Sequence, residues 1–154
     1  MWFKKSPEKL LESESPFDAV FGLTDRLRKK KDFSTYTNAE RMLWCLDVLY
    51  MESENGSIEQ YAANSSGDLF EETRNHLDVI KAVKAREALD ELDKLLNGKM
   101  RSSRSDRIEA ISTARSLDEL GFEKRTRELT ESLDWEEIFS AAVDYLREHK
   151  DELI

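Results

Sequence analysis

The chain has 154 residues, with 33 acidic residues against 24 basic ones and a formal net charge of −9. A single cysteine excludes an internal disulfide framework and any multi-cysteine zinc or iron–sulfur centre. Five glycines and two prolines exclude collagen-like, linker-like and turn-rich all-β chains, and the acidic balance disfavours direct contact with nucleic acid or anionic lipid.

The length is that of one ordinary domain, and a chain this long buries about 68–70% of its unfolded surface without disulfide or metal. The start, MWFKKSPEKLL, carries lysines but not the apolar run of a secretory signal. No stretch approaches the roughly 20 apolar residues of a membrane span. With the lone Cys45 these features predict a cytoplasmic protein.

Residues 1–14 read as a polar N-terminal arm from which Trp2 and Phe3 dock on the body. Ser15–Pro16 opens the first helix, serine as N-cap and proline at the first helical position. Its stripe is Phe17, Val20, Phe21, Thr24 and Leu27, and it ends in Arg26, Arg28, Lys29, Lys30 and Lys31, cations suited to the negative end of the helix dipole. Thr37-Asn-Ala-Glu40 is a capping box for a second helix with the stripe Ala39, Met42, Leu43, Leu46, Leu49 and Tyr50. Asn55–Gly56 is expected to end it, glycine supplying a left-handed residue.

Ser57 caps a short helix carrying Ile58 and Tyr61, and Asn64-Ser65-Ser66-Gly67 is a turn before an acidic helix start with Asp68, Glu71 and Glu72. Leu69, Thr73, Leu77 and Ile80 form that helix's stripe, and Ala85, Ala88, Leu89, Leu92, Leu95 and Leu96 make the next, stopped by Gly98. Lys99–Arg107 reads as a solvated basic loop. Ile108 and Ile111 start a further helix, Ser116-Leu-Asp-Glu119 is a second capping box and Gly121 a stop. Phe122, Thr126, Leu129 and Leu133 repeat at helical spacing, and Asp134 caps a last helix with Trp135, Ile138, Phe139, Ala142, Leu146 and His149. The prediction is an all-α, compact bundle of about six to eight helices, with residues 15–154 as a single helical domain.

Chemistry is hard to place on this chain. Cys45 sits mid-helix with no neighbouring histidine to activate it, and reads as a packed thiol. Glu72 and His76, four residues apart, supply two metal ligands at most, so no metal site is expected. The acid pairs Glu71–Glu72 and Glu136–Glu137 diverge by about 100° on their helices and serve the dipole rather than acid–base catalysis. Asn64–Gly67 has the form of an anion-binding turn, but acids already occupy that helix start. No enzyme, cofactor or metal is predicted.

Charge is unevenly distributed. Residues 32–80 hold ten acids (Asp32, Glu40, Asp47, Glu52, Glu54, Glu59, Asp68, Glu71, Glu72 and Asp78) against Arg41 and Arg74, and residues 132–154 hold seven against two. Residues 1–31 and 81–131 are slightly basic.

The stretch Glu54-Asn-Gly-Ser-Ile-Glu-Gln-Tyr-Ala-Ala-Asn-Ser-Ser-Gly-Asp68 resembles the signature of the bacterial DNA-mimic protein domain family. In that signature a helix ends in Asn-Gly-Gly, followed by an aromatic residue, a Gln-Tyr pair and Asn-Ser-Ser-Gly-Asp. Asn55, Gly56, Gln60, Tyr61, Asn64, Ser65, Ser66, Gly67 and Asp68 match; Ser57 replaces the second glycine, and Ile58 and Ala62 replace aromatics. The residues themselves read as a scaffold. Gln60 and Asn64 are expected to bond orphaned backbone at helix ends, and Ser65 or Ser66 to cap the acidic helix.

The resemblance implies a bacterial, acidic, all-helical protein that binds a basic DNA-binding protein, such as a transcription regulator, in place of DNA. Carboxylates four residues apart on a helix stand about 5–6 Å apart, the order of phosphate spacing, and Asp68–Glu72 is such a pair. The candidate partner-binding acids are Asp47, Glu52, Glu54, Glu59, Asp68, Glu71, Glu72 and Asp78, with the two acidic blocks expected on one surface. The alternatives are an immunity or antitoxin-like protein that neutralises a basic toxin, an ordinary interaction domain, and an unrecognised enzyme or small-ligand binder with a closed pocket around Gln60, Tyr61 and Asn64. Direct nucleic-acid or membrane binding is not expected. The oligomeric state stays open, a homodimer included.

Overall fold

The computed structural model describes residues 5–30 and 32–153; the expected docking of Trp2 and Phe3 lies outside them. The fold is all-α, with no strand among the described residues. In chain order the α-helices are α1 (Pro7–Leu11), α2 (Pro16–Lys30), α3 (Asn38–Asn55), α4 (Ile58–Ala63), α5 (Phe70–Val79), α6 (Val83–Leu95), α7 (Arg104–Leu117), α8 (Glu119–Glu131) and α9 (Trp135–Glu148). Short 3₁₀ turns lie at Phe33–Thr35, Ser65–Leu69 and Lys150–Glu152. The chain gathers into two compact units, Met1–Asp47 with Trp135–Ile154, and Val48–Asp134. No described helix is long and apolar enough to cross a membrane.

In the first unit, part of the stretch read as a polar arm is a helix. Ser6 caps α1, accepting from Lys9 N at 3.5 Å, and Leu10 and Leu11 are buried. α1 seats on α2 at Gly22, where a Cβ would fall 2.6 Å from Leu10 Cδ2. Ser15 caps α2 as expected, through Asp18 N at 3.3 Å. Phe17, Phe21 and Trp135 surround Phe139 at centroid distances of 5.1, 5.8 and 5.3 Å. The capping box on α3 closes in both directions: Glu40 N donates to Thr37 Oγ1 at 3.2 Å, and Thr37 N donates to Glu40 Oε2 at 3.1 Å. The cations of the last turn of α2 do more than meet its dipole, since Arg28 and Lys30 reach Asp47 and Glu40 of α3.

In the second unit the core comprises Leu49, Ile58, Tyr61, Phe70, Leu77, Leu89, Leu92, Ile111, Phe122 and Leu129. Gly98 does end α6 in a left-handed conformation, at φ 76°, joined there by Asn97 at 53°. Gly56 does not; its φ is negative, and it is glycine because a Cβ would stand 2.3 Å from Gln60 Oε1. The basic stretch at 99–107 is shorter as a loop than expected. Ser103 Oγ accepts from Asp106 N at 3.2 Å and starts α7 at Arg104. The cap of α8 is Asp118, which accepts from Gly121 N at 3.0 Å, while Ser116 donates to Thr113 O. Gly121 therefore lies inside α8 and is no stop, because the Asp118 side chain folds over it.

Candidate functional site

The stretch 54–68 is built around a carboxylate just before it. Glu52, in the last turn of α3, accepts from Gln60 Nε2 at 2.7 Å and Asn64 Nδ2 at 3.0 Å on Oε2, and from Ser66 Oγ at 3.1 Å on Oε1. Ser66 Oγ also lies 3.2 Å from Tyr61 O, so one hydroxyl proton serves two acceptors. Gln60 and Asn64 therefore spend their amides on Glu52, not on orphaned backbone, and charge-assisted bonds of this kind are roughly twice as strong as neutral ones. Tyr61 is fully buried with its hydroxyl 3.3 Å from Thr73 Oγ1. The polar groups of Gln60, Tyr61 and Asn64 thus bond within the second unit rather than converging on a ligand.

A second centre is Arg107, which is 0% exposed and the largest fully buried side chain of the described residues. Its guanidinium donates to Ala62 O at 2.8 Å, Ser102 O at 2.8 Å, Asn64 O at 3.0 Å and Asp68 Oδ1 at 2.9 Å. Arg104 adds a bond to Ala63 O at 2.9 Å. Helix α4 leaves its last carbonyls without intrahelical partners, and a cation at that end also meets the negative pole of the dipole. Gly67 is glycine for the same reason: a Cβ there would lie 2.7 Å from Arg107 Nε. Ser65 is exposed and makes no side-chain hydrogen bond among the described residues, and neither Ser65 nor Ser66 caps α5, whose N-cap is Leu69. Asn55 is the exposed last residue of α3.

The candidate acids fall into different environments. Asp47 is 2% exposed and bonded to Arg28 at 2.6 Å, so it presents no charge to a partner; burial pushes its carboxyl above the ordinary range despite Arg28. Glu52 is committed as described. Glu59 meets Arg115 at 2.5 Å, Asp68 meets Arg107, Glu71 meets Arg101 at 2.5 Å, and Asp78 meets Arg86 at 3.1 Å. Glu72 stands 3.8 Å from His76 Nε2. Glu54 is exposed and makes no ion pair among the described residues. Asp68 and Glu72 do not share a helix face as expected, since Asp68 belongs to the 3₁₀ turn and Glu72 to α5.

Other acids are free. Glu87, Asp106, Glu109, Glu119 and Glu131 are exposed in the second unit and form no ion pair among the described residues. Asp106 and Glu109 lie three apart on α7 and line one shallow cleft with Asn97 and Lys99. These acids lie outside the two acidic blocks, so local charge density did not mark them. Arg107 was hidden for a related reason, because it ends a basic run; the clue was the cap pattern of Ser103 and Asp106, which starts the helix early. No group of three or more His, Cys, Asp or Glu among the described residues could hold a metal ion.

A family model described as DMP19-like protein matches residues 34–149. No curated protein and no solved structure matches the chain.

Proposed function

The chain belongs to the DMP19-like protein family, a family of DNA mimics, and from that membership we propose that it binds a basic DNA-binding protein in place of DNA, without catalysing a reaction. The observation that carries the reading is the family match over 34–149, which takes in the whole of the second unit and part of the first. The net charge of −9 is of the right sign for it.

The charge available for such a contact is not that of the acidic block at 52–78, most of which is neutralised within the molecule. It includes that of Glu54, Glu87, Asp106, Glu109, Glu119 and Glu131, which reach solvent without an ion pair among the described residues. An exposed carboxylate already held by arginine gives a partner little net attraction, whereas an unpaired one draws cations over roughly a Debye length, about 8 Å at physiological salt.

The test is a pull-down with the purified full chain, followed by titration of the recovered protein against salt and duplex DNA. A basic DNA-binding protein displaced by both is the expected result. Asp106→Asn with Glu109→Gln should then weaken binding several-fold and flatten its salt dependence, while Glu71→Gln, which removes an acid already held by Arg101, should do so less. A partner indifferent to salt and DNA would overturn the proposal.

A further inference from the structure

Two leucines stand apart from the rest of the chain. Leu117 and Leu120 are each 80% exposed, while every other described leucine is buried or half-buried. They flank the turn between α7 and α8, Leu117 as the last residue of one helix and Leu120 as the second of the other.

The turn that carries them is fixed. Asp118 N donates to Ala114 O at 3.3 Å, and Phe122 N donates to Asp118 O at 2.9 Å. The Asp118 carboxylate accepts from Gly121 N at 3.0 Å and leaves no room for a side chain there, a Cβ at residue 121 falling 2.0 Å from Asp118 Oδ2. Phe122 is buried beneath, with the Arg115 guanidinium 5.1 Å from its ring centroid and bonded to both Glu59 and Glu123. The leucines are thus presented on a closed turn.

The charge around them selects the occupant. Asp118 and Glu119, between the two leucines, are exposed and meet no cation among the described residues. Nearby Arg115 is spent on two carboxylates, and Lys124 lies 3.9 Å from Glu128. An apolar pair interleaved with two carboxylates that meet no cation among the described residues complements an apolar pocket rimmed by lysine or arginine. A second copy meeting it about a two-fold axis would set the same acids against one another, since such an interface joins identical patches. An anionic lipid surface would be repelled.

We propose that the Leu117–Leu120 knuckle is the apolar anchor through which this protein grips a basic protein partner, with Asp118 and Glu119 orienting the contact. The proposal rests on the mimicry reading above and adds what that reading lacks, a contact that duplex DNA does not make. Interface cores are apolar with charged rims, and rim charges act mainly on the association rate and its salt dependence.

The test uses the full chain as wild type and as Leu117→Ser/Leu120→Ser, against the basic protein recovered above. A parallel arm uses two synthetic probes of equal charge, oligolysine and an amphipathic lysine–leucine helix. The double variant should bind the recovered protein at least tenfold more weakly with its salt slope unchanged, and should lose the wild type's preference for the amphipathic peptide. Undiminished binding by the double variant would overturn the anchor and leave the mimicry reading standing. Failure of the wild type to recover any basic, DNA-displaceable protein would overturn both. A wild type that self-associates while the double variant stays monomeric, or a melting midpoint lowered by several degrees in the double variant, would also overturn it, the first assigning the knuckle to self-association and the second to folding.

Discussion

Arg107 is the residue on which the second unit depends most visibly. Its guanidinium carries four hydrogen bonds from a fully buried position, three to carbonyls and one to Asp68. Removing it leaves backbone carbonyls unpaired away from water, which costs about 1–3 kcal/mol, while the exposed Asp68 is returned to solvent. Arg107→Met should lower the unfolding free energy measured in urea by that order. Arg107→Lys should recover little, because a single ammonium cannot reproduce a planar fork of donors. A loss below about 1 kcal/mol, the net worth of an ordinary hydrogen bond, would show that the centre is dispensable. Glu52 is its counterpart of opposite sign, gathering side chains where Arg107 gathers backbone.

At the scale of elements, helix boundaries rest on two kinds of glycine. Gly98 closes α6 at φ 76° with open space around it, so Gly98→Ala meets only the backbone penalty of a left-handed L-residue, about 1–2 kcal/mol. Gly56 has no such φ and instead makes room for the Gln60 side chain. Gly56→Ala should therefore be destabilising in the wild-type background and largely relieved in a Gln60→Ala background, while the effect of Gly98→Ala is the same in both. Equal effects of Gly56→Ala in the two backgrounds, measured by denaturation as a double-mutant cycle, would refute the steric account. Ser15, the Thr37–Glu40 box and Ser57 were readable as caps because each acts within three residues of itself. The cap at Asp118 was misread because Ser116 and Glu119 spell the same pattern two residues earlier, and the geometry of the turn prefers the carboxylate beside Gly121.

On the scale of the whole molecule, charge that is segregated along the sequence is largely paired in the fold. Most acids of residues 40–78 are met by a cation, from Arg28 and Lys30 of α2, from Arg86, Arg107 and Arg115 of the later helices, and from Arg101 in the turn before α7. The pH dependence of stability should show two opposite contributions. The Arg74 guanidinium, bonded at 2.6 Å, holds Asp90 below its ordinary value of 3.8. Its stabilisation is present above that value and lost as pH falls through the lowered one, so Asp90→Asn should be destabilised at pH 7 and indistinguishable from wild type in strong acid. Burial raises Asp47 above 3.8, so the wild type loses stability as pH rises from there through the raised value. Asp47→Asn escapes that loss, and its stability relative to wild type should increase over the same interval and then level off. Denaturation midpoints from acid to neutral pH would check both, and parallel curves would contradict them.

The sequence alone determined the all-α class, most of the caps and the buried stripes, because periodicity and capping act over three or four residues and are written locally. It also carried the resemblance at 54–68 and the sign of the net charge. The tertiary structure decided which charges remain free. Arg101 finds Glu71 across 30 residues, Arg107 finds Asp68 across 39, and Arg115 finds Glu59 across 56. No local pattern encodes those distances, so a run that reads as a solvated basic loop supplies a fully buried arginine, and a dense acidic block keeps little unpaired charge. The exposure of Leu117 and Leu120 was decided in the same way, by how α7 and α8 pack, since no local pattern marks which apolar residues the fold leaves in water.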